Sequence, residues 1–160
     1  MSMAKAGVLI RVSVVVCGAM IAGCGTDPVN STAAKPVPHE RMAPCSSAPH
    51  CVSSLAADSD HQVEPLRFFG SRAGAHARLL KLLHALPRTQ VVANEPDYVH
   101  AEVTSALLRL TDDLEFEFAS GPGGGIIQVR SSSRIGYYDF GVNRTRVEAL
   151  RAAFEGKNGS

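Results

Sequence analysis

The sequence predicts an α+β domain: an antiparallel β meander of about four strands packed against an N-terminal and a C-terminal helix. Three observations carry this. Leucines recur at three- and four-residue spacing before Pro87, apolar residues alternate with charged ones between residues 90 and 135, and a second helical pattern closes the chain. Short turns join the alternating segments, as a meander requires.

The first helix is expected over about residues 73–86, with Leu79, Leu80, Leu82, Leu83 and Leu86 on its apolar side. Pro87 cannot continue it. His76 and His84 lie near one face, where surface decoration is the ordinary reading and ligand duty the special one. Gln90 to Ala93 forms a short strand, and Asn94-Glu95-Pro96-Asp97 turns the chain. Tyr98 to Leu108 alternates as a longer strand, with Tyr98, His100, Glu102 and Thr104 opposite Val99, Ala101, Val103, Ser105 and Leu107. Thr111-Asp112-Asp113 reads as a turn. Leu114, Phe116 and Phe118 interleave with Glu115 and Glu117, the clearest period-two signal in the chain. Ser120 to Gly125 reads as a loop and Ile126 to Ile135 as the next strand. An irregular stretch, Gly136 to Gly141, leads to Asn143 as N-cap of a helix over about 144–155, with Val147, Leu150 and Phe154 inward.

Composition bounds the function. In 160 residues, Lys+Arg of 16 against Asp+Glu of 15 gives a net charge of +1, so no charge imbalance recruits nucleic acid or an anionic membrane. There is no Trp, and aromatics make up only 6%, which argues against a base-stacking platform.

The amino end carries the compartment signal. Lys5 and Arg11 precede Val12 to Ala22, an uncharged and mostly apolar run. Spanning a bilayer takes about 20 apolar residues, so the run suits a cleaved secretory leader better than a permanent span; the alternative is an ordinary buried strand or helix. Ile21-Ala22-Gly23-Cys24 resembles the lipobox of bacterial lipoproteins, in which the cysteine becomes the acylated N-terminus. The expected organisation is therefore a signal peptide over 1–23, a flexible tether over 24–43 rich in Pro, Ser and Thr, and a globular domain over 44–156. By the family sorting rule, Gly25 rather than Asp directs the lipoprotein to the outer membrane, facing the periplasm. Loss of the leader removes Lys5 and Arg11 and leaves 14 basic against 15 acidic side chains.

Of four cysteines, Cys17 leaves with the leader and Cys24 is lipidated, so Cys45 and Cys51 remain. In an oxidising compartment they are expected to pair as a disulfide. A metal or redox role with His50 is the competing reading, disfavoured by the spacing. No cofactor or metal is implied.

Alternation places His100, Glu102, Glu115, Glu117, Arg130 and Arg134 on one sheet face, expected to be solvated. The ordinary reading is a surface of cross-strand ion pairs, each worth less than about 1 kcal/mol. The functional reading is a groove in which these arginines, with Arg144 and Arg146 from the last helix, meet a small anionic ligand through their planar forks. Internal pairing of Arg130, Arg134 and Arg144 would remove the motive for that groove. Ser131, Ser132 and Ser133 lie in no nucleophile-elbow sequence, and Asp112 and Asp113 read as turn formers before an acid/base pair.

PCSSAPHCVSS at 44–54, DYVHAE at 97–102, DDLEF at 112–116 and VRSSSRIGYYDFGVNR at 129–144 together resemble domain-of-unknown-function family 1499 over about residues 44–155. The resemblance implies an exported or lipid-attached bacterial protein without a settled activity. One departure is Ser46, where many relatives place Pro directly after the first cysteine. The motif residues His100, Glu102, Asp112, Asp113, Arg130, Ser131, Arg134, Asp139, Arg144 and Arg146 coincide with the polar set and imply a shared structural or ligand-binding site. The expected function is a membrane-tethered, non-enzymatic module binding a small anionic ligand or an envelope protein; the alternative is an envelope hydrolase or other enzyme using the His/Glu/Asp/Arg cluster.

Overall fold

The computed structural model describes residues 40–156. The expected leader, the Cys24 lipidation site and the tether as far as residue 39 lie outside the described residues. The elements are β1 (Cys51–Ser53), β2 (Leu66–Phe69), α1 (Arg72–Ala85), β3 (Thr89–Asn94), β4 (Tyr98–Thr104), β5 (Thr111–Gly121), β6 (Gly124–Ser133) and α2 (Val142–Glu155). All six strands form one antiparallel sheet, so the fold is α+β. β3 to β6 make the expected meander. Its outer edge, the free side of β6, is shared by two short strands: β1 beside Arg130–Ser132 and β2 beside Gly124–Ile127.

Each helix has a local cause. Ser71 caps α1 by accepting from Gly74 N at 3.1 Å, and Pro87 lies just beyond its end. The buried side chains of α1 are Ala75, Leu79 and Leu83, one turn apart. In α2, Val147, Leu150 and Phe154 are buried as expected. These residues cover one sheet face, where Leu66, Phe68, Val99, Ala101, Leu114, Phe116, Ile127 and Val129 complete the core. Arg78 of α1 lies over the Phe154 ring of α2, 4.2 Å from its centroid.

Several boundaries differ from expectation. β4 stops at Thr104; Ser105 and Leu110 then close a loop through Ser105 N to Leu110 O (2.8 Å) and Leu110 N to Ser105 Oγ (2.9 Å). Asp112 and Asp113 stand inside β5 and form no turn, because their carboxylates meet Arg146 of α2 and Arg134 just past β6. Gly124 and Gly125, expected in a loop, belong to β6. A Cβ on Gly124 would come within 2.2 Å of the Phe68 carbonyl oxygen, and one on Gly125 within 2.2 Å of the Ala119 oxygen. Glycine lets β2 and β5 approach β6 there. Asn143 is not the N-cap of α2: Gly141 holds that position and Asn143 lies inside the helix, fully buried.

Candidate functional site: two polar networks on opposite sheet faces

Strand alternation separates the expected polar set into two groups. In β5, Leu114, Phe116 and Phe118 enter the core, so Asp113 and Glu115 occupy the other face. The register sets His100 against Glu115, Glu102 against Asp113, and Glu115 against Arg130. His100, Asp113 and Glu115 are buried, so this face is not the solvated surface the sequence suggests.

Glu115 is 0% exposed. A buried carboxylate is costly without partners, and Glu115 has several. Tyr98 Oη (2.7 Å) and Met42 N (2.8 Å) donate to its Oε1, and Arg130 Nη1 donates to its Oε2 at 2.8 Å. Asp113 is held similarly. His100 Nε2 donates to Oδ1 at 2.8 Å, while Arg134 reaches Oδ1 through Nη2 (2.8 Å) and Oδ2 through Nε (3.0 Å). Arg134 Nη2 also donates to Glu102. Burial opposes ionisation of Asp113, yet the hydrogen bonds from His100 and Arg134 and the Arg134 charge outweigh it, holding the carboxyl well below the usual carboxylate range. Burial, then the Glu115 carboxylate, pushes the Tyr98 phenol well above its ordinary value, so Tyr98 remains a donor at neutral pH.

Residues 41–45 form a strap over this network. Arg41 pairs with Glu95 and lies 4.4 Å from the Tyr98 ring centroid. Met42 supplies its backbone N–H to Glu115. Cys45 is bonded to Cys51, with Cα atoms 5.6 Å apart, and Cys51 pairs with Ser132 of β6. The expected disulfide is present.

The second group lies on the core face, where β6 meets the start of α2. Arg146 donates to Asp112 Oδ2 (2.6 Å), Asn143 Oδ1 (2.7 Å) and Ser131 Oγ (3.1 Å). Ser131 Oγ donates to Asn143 Oδ1 at 2.5 Å. Asn143 Nδ2 donates to Asp139 Oδ2 (2.8 Å), His50 O (3.0 Å) and Ser133 Oγ (3.1 Å). Asp139 performs the capping expected of Asn143: its carboxylate accepts from the amides of Gly141 and Asn143, both at 2.9 Å.

The residues expected to share one site are therefore divided. His100, Glu102, Asp113, Arg130 and Arg134 share one face, Arg130 through Glu115 and the rest around Asp113; Asp112, Ser131, Asp139 and Arg146 belong to the network on the other. Arg144 joins neither, because it donates to the backbone oxygens of Gln62 (2.7 Å) and Asp60 (2.6 Å). Tyr98, Met42 and Asn143 are members that sequence reasoning missed. Tyr98 stood on the polar side of its strand, whereas a backbone donor such as Met42 leaves no side-chain signal. Arg130, Arg134 and Arg146 each meet a carboxylate, and both networks brace segments distant in sequence. Among the described residues, no group of three or more His, Cys, Asp or Glu is placed to hold a metal ion.

These features define a small α+β domain, closed by a disulfide and fixed internally by arginine–carboxylate pairs. A family described as protein of unknown function, DUF1499, matches residues 41–154, and the chain belongs to that family. No curated protein matches it.

Proposed function

We propose that this chain is a lipid-anchored protein of the bacterial cell envelope, acylated at Cys24 on the outer membrane and facing the periplasm. Its folded domain acts as a non-enzymatic binding or structural module. The Cys45–Cys51 disulfide carries the reading, because such bonds persist in oxidising compartments; the basic, apolar, lipobox-like amino end agrees with it. Pairing of Arg130, Arg134 and Arg146 with carboxylates favours a bracing role for these residues over anion capture, so recognition falls to another surface.

Mass spectrometry of protein isolated from the membrane fraction tests this. Diacylglyceryl-modified Cys24 at the mature N-terminus and no free thiol at Cys45 or Cys51 are expected. A persisting Met1, or a Cys24→Ser variant that fractionates like its parent, overturns the anchor.

A further inference from the structure

Two loops meet at the end of the sheet where β4 leads into β5 and β6 leads into α2. Arg134 N donates to Thr111 O at 3.1 Å, and Ala106 and Val142, one from each side, line a single cavity of about 320 Å³. Both loops are held in place, the first by the reciprocal Ser105–Leu110 bonds and the second by the Asp139 carboxylate. Yet their apolar side chains contribute little to the core. Leu107 is 88% exposed, Phe140 86% and Tyr137 72%, with Leu108, Ile135 and Tyr138 also exposed. The Tyr138 and Phe140 rings stack edge-on, 5.0 Å between centroids. Phe140 takes a φ of +57°, a conformation uncommon for a bulky side chain. Exposed apolar side chains gathered on two adjoining loops mark an interaction site.

Basic groups flank it. Arg88 and Arg109, both exposed, line a polar groove of about 480 Å³ with Thr104 and Ser105. Arg88 donates Nε to Thr104 O at 3.0 Å, and Arg109 has no carboxylate partner among the described residues. Glu102 also lines the groove, but its carboxylate already accepts from Arg134.

We infer that this end of the sheet docks on a phospholipid bilayer, with Leu107, Leu108, Tyr137, Tyr138 and Phe140 at the headgroup–acyl boundary and Arg88 and Arg109 facing lipid phosphates. The composition fits that zone, which favours aliphatic tips, amphipathic aromatic rings and arginine. Chain length permits it. The strap starts beside Glu95, at the opposite end of β4, and β4 spans roughly 23 Å at about 3.3 Å per residue. The 16 peptide units between Cys24 and Glu40 reach up to about 55 Å when extended. The inference rests on the tethered reading for its supply of membrane.

The absence of Trp makes a single-tryptophan reporter available. The protein isolated from membranes is reconstituted into vesicles of phosphatidylglycerol and phosphatidylethanolamine carrying brominated acyl chains, as Phe140→Trp and, for a distant exposed site, Leu55→Trp. The reporter at position 140 should show blue-shifted emission quenched by the bromolipid, and the one at position 55 should show neither. Arg88→Gln and Arg109→Gln should each lower the docked-to-undocked ratio about fivefold. If the two reporters behave alike in folded protein, the proposal is overturned. It is overturned equally if the reporter at position 140 is buried without vesicles, in a dimer that Phe140→Asp dissociates, since the face would then belong to a second copy. Aspartate tolerates positive φ better than phenylalanine, so that variant keeps the turn. If mass spectrometry finds Cys24 unmodified, the tether fails separately, and vesicles added to the same Phe140→Trp chain decide the docking face through its emission alone.

Discussion

Glu115 and Arg130 stand directly opposite one another on β5 and β6, paired at 2.8 Å with the carboxylate closed to solvent. The pair is local in register and connects three distant segments, because Tyr98 and the amide of Met42 converge on the same carboxylate.

Removing one partner of a buried ion pair costs about 3–5 kcal/mol, because the other is left uncompensated. Arg130→Ala is therefore expected to destabilise the domain by that order in urea unfolding. Replacing both residues, as Glu115→Gln with Arg130→Met, should recover part of the loss, because glutamine keeps an acceptor for Tyr98 and Met42 N. Singles and double that are equally destabilised would show that the pair is not the coupled unit.

Asn143 is the second hub. Asn143→Ala would remove the acceptor of the buried Ser131 hydroxyl, at about 1–3 kcal/mol for the group left unsatisfied, and one of the two donors to the His50 carbonyl. A fall in thermal midpoint is expected, together with faster amide exchange at Ser133, whose N–H donates to His50 O at 3.1 Å. Unchanged exchange at Ser133 would contradict the role of Asn143 in fixing that segment.

Acid sensitivity follows from Asp113. Its folded-state pKa lies below the unfolded value, so the stability it contributes is fully present above about pH 4. That stability is lost as pH falls through the folded value, because the unfolded state then binds more protons. Asp113→Asn should therefore lower stability by a constant amount across neutral pH, and the difference from the parent should shrink only under strong acid. The exposed Asp58–His61 pair has the opposite sign on its histidine side. The hydrogen bond from Asp58 raises the His61 pKa, so this contribution is present below about pH 6.5 and fades as pH rises through the folded value. NMR titration of the Asp113 and His61 side chains, with unfolding midpoints across pH, checks the two windows.

The glycines of β6 are steric. Gly124→Ala should displace β2 and Gly125→Ala should displace β5, because their Cβ atoms would sit 2.2 Å from the Phe68 and Ala119 oxygens respectively. Gly123→Asn in the adjoining turn, where φ is +79°, should be mild, since asparagine accepts left-handed backbone. Near-ultraviolet circular dichroism and unfolding midpoints distinguish the two classes.

Reading the sequence located the elements with several side chains in period. α1, α2 and the Leu114–Phe118 alternation were legible because hydrophobic periodicity and burial coincide there. β1 and β2, of three and four residues, are too short to display a period and exist because β6 offers a free edge. Asp112 and Asp113 looked like turn formers because local propensity was the available signal, whereas long-range arginines decide their conformation. The candidate site was half legible for a geometric reason. Alternation correctly gathered His100, Glu102, Arg130 and Arg134, but one residue of register moves Asp112 to the opposite face from Asp113. Arg144 showed no sign that its partners would be backbone oxygens.

The Cys45–Cys51 bridge also governs how the domain bears tension. Traction at residue 41 first strains the Arg41 and Met42 contacts and then meets a covalent shortcut. Residues 46–50 are bypassed, and the pull enters the sheet at Cys51, in a strand laid against the long β6. An oxidised domain hauled from its amino end thus transmits the load to its middle before the intervening peptide can uncoil.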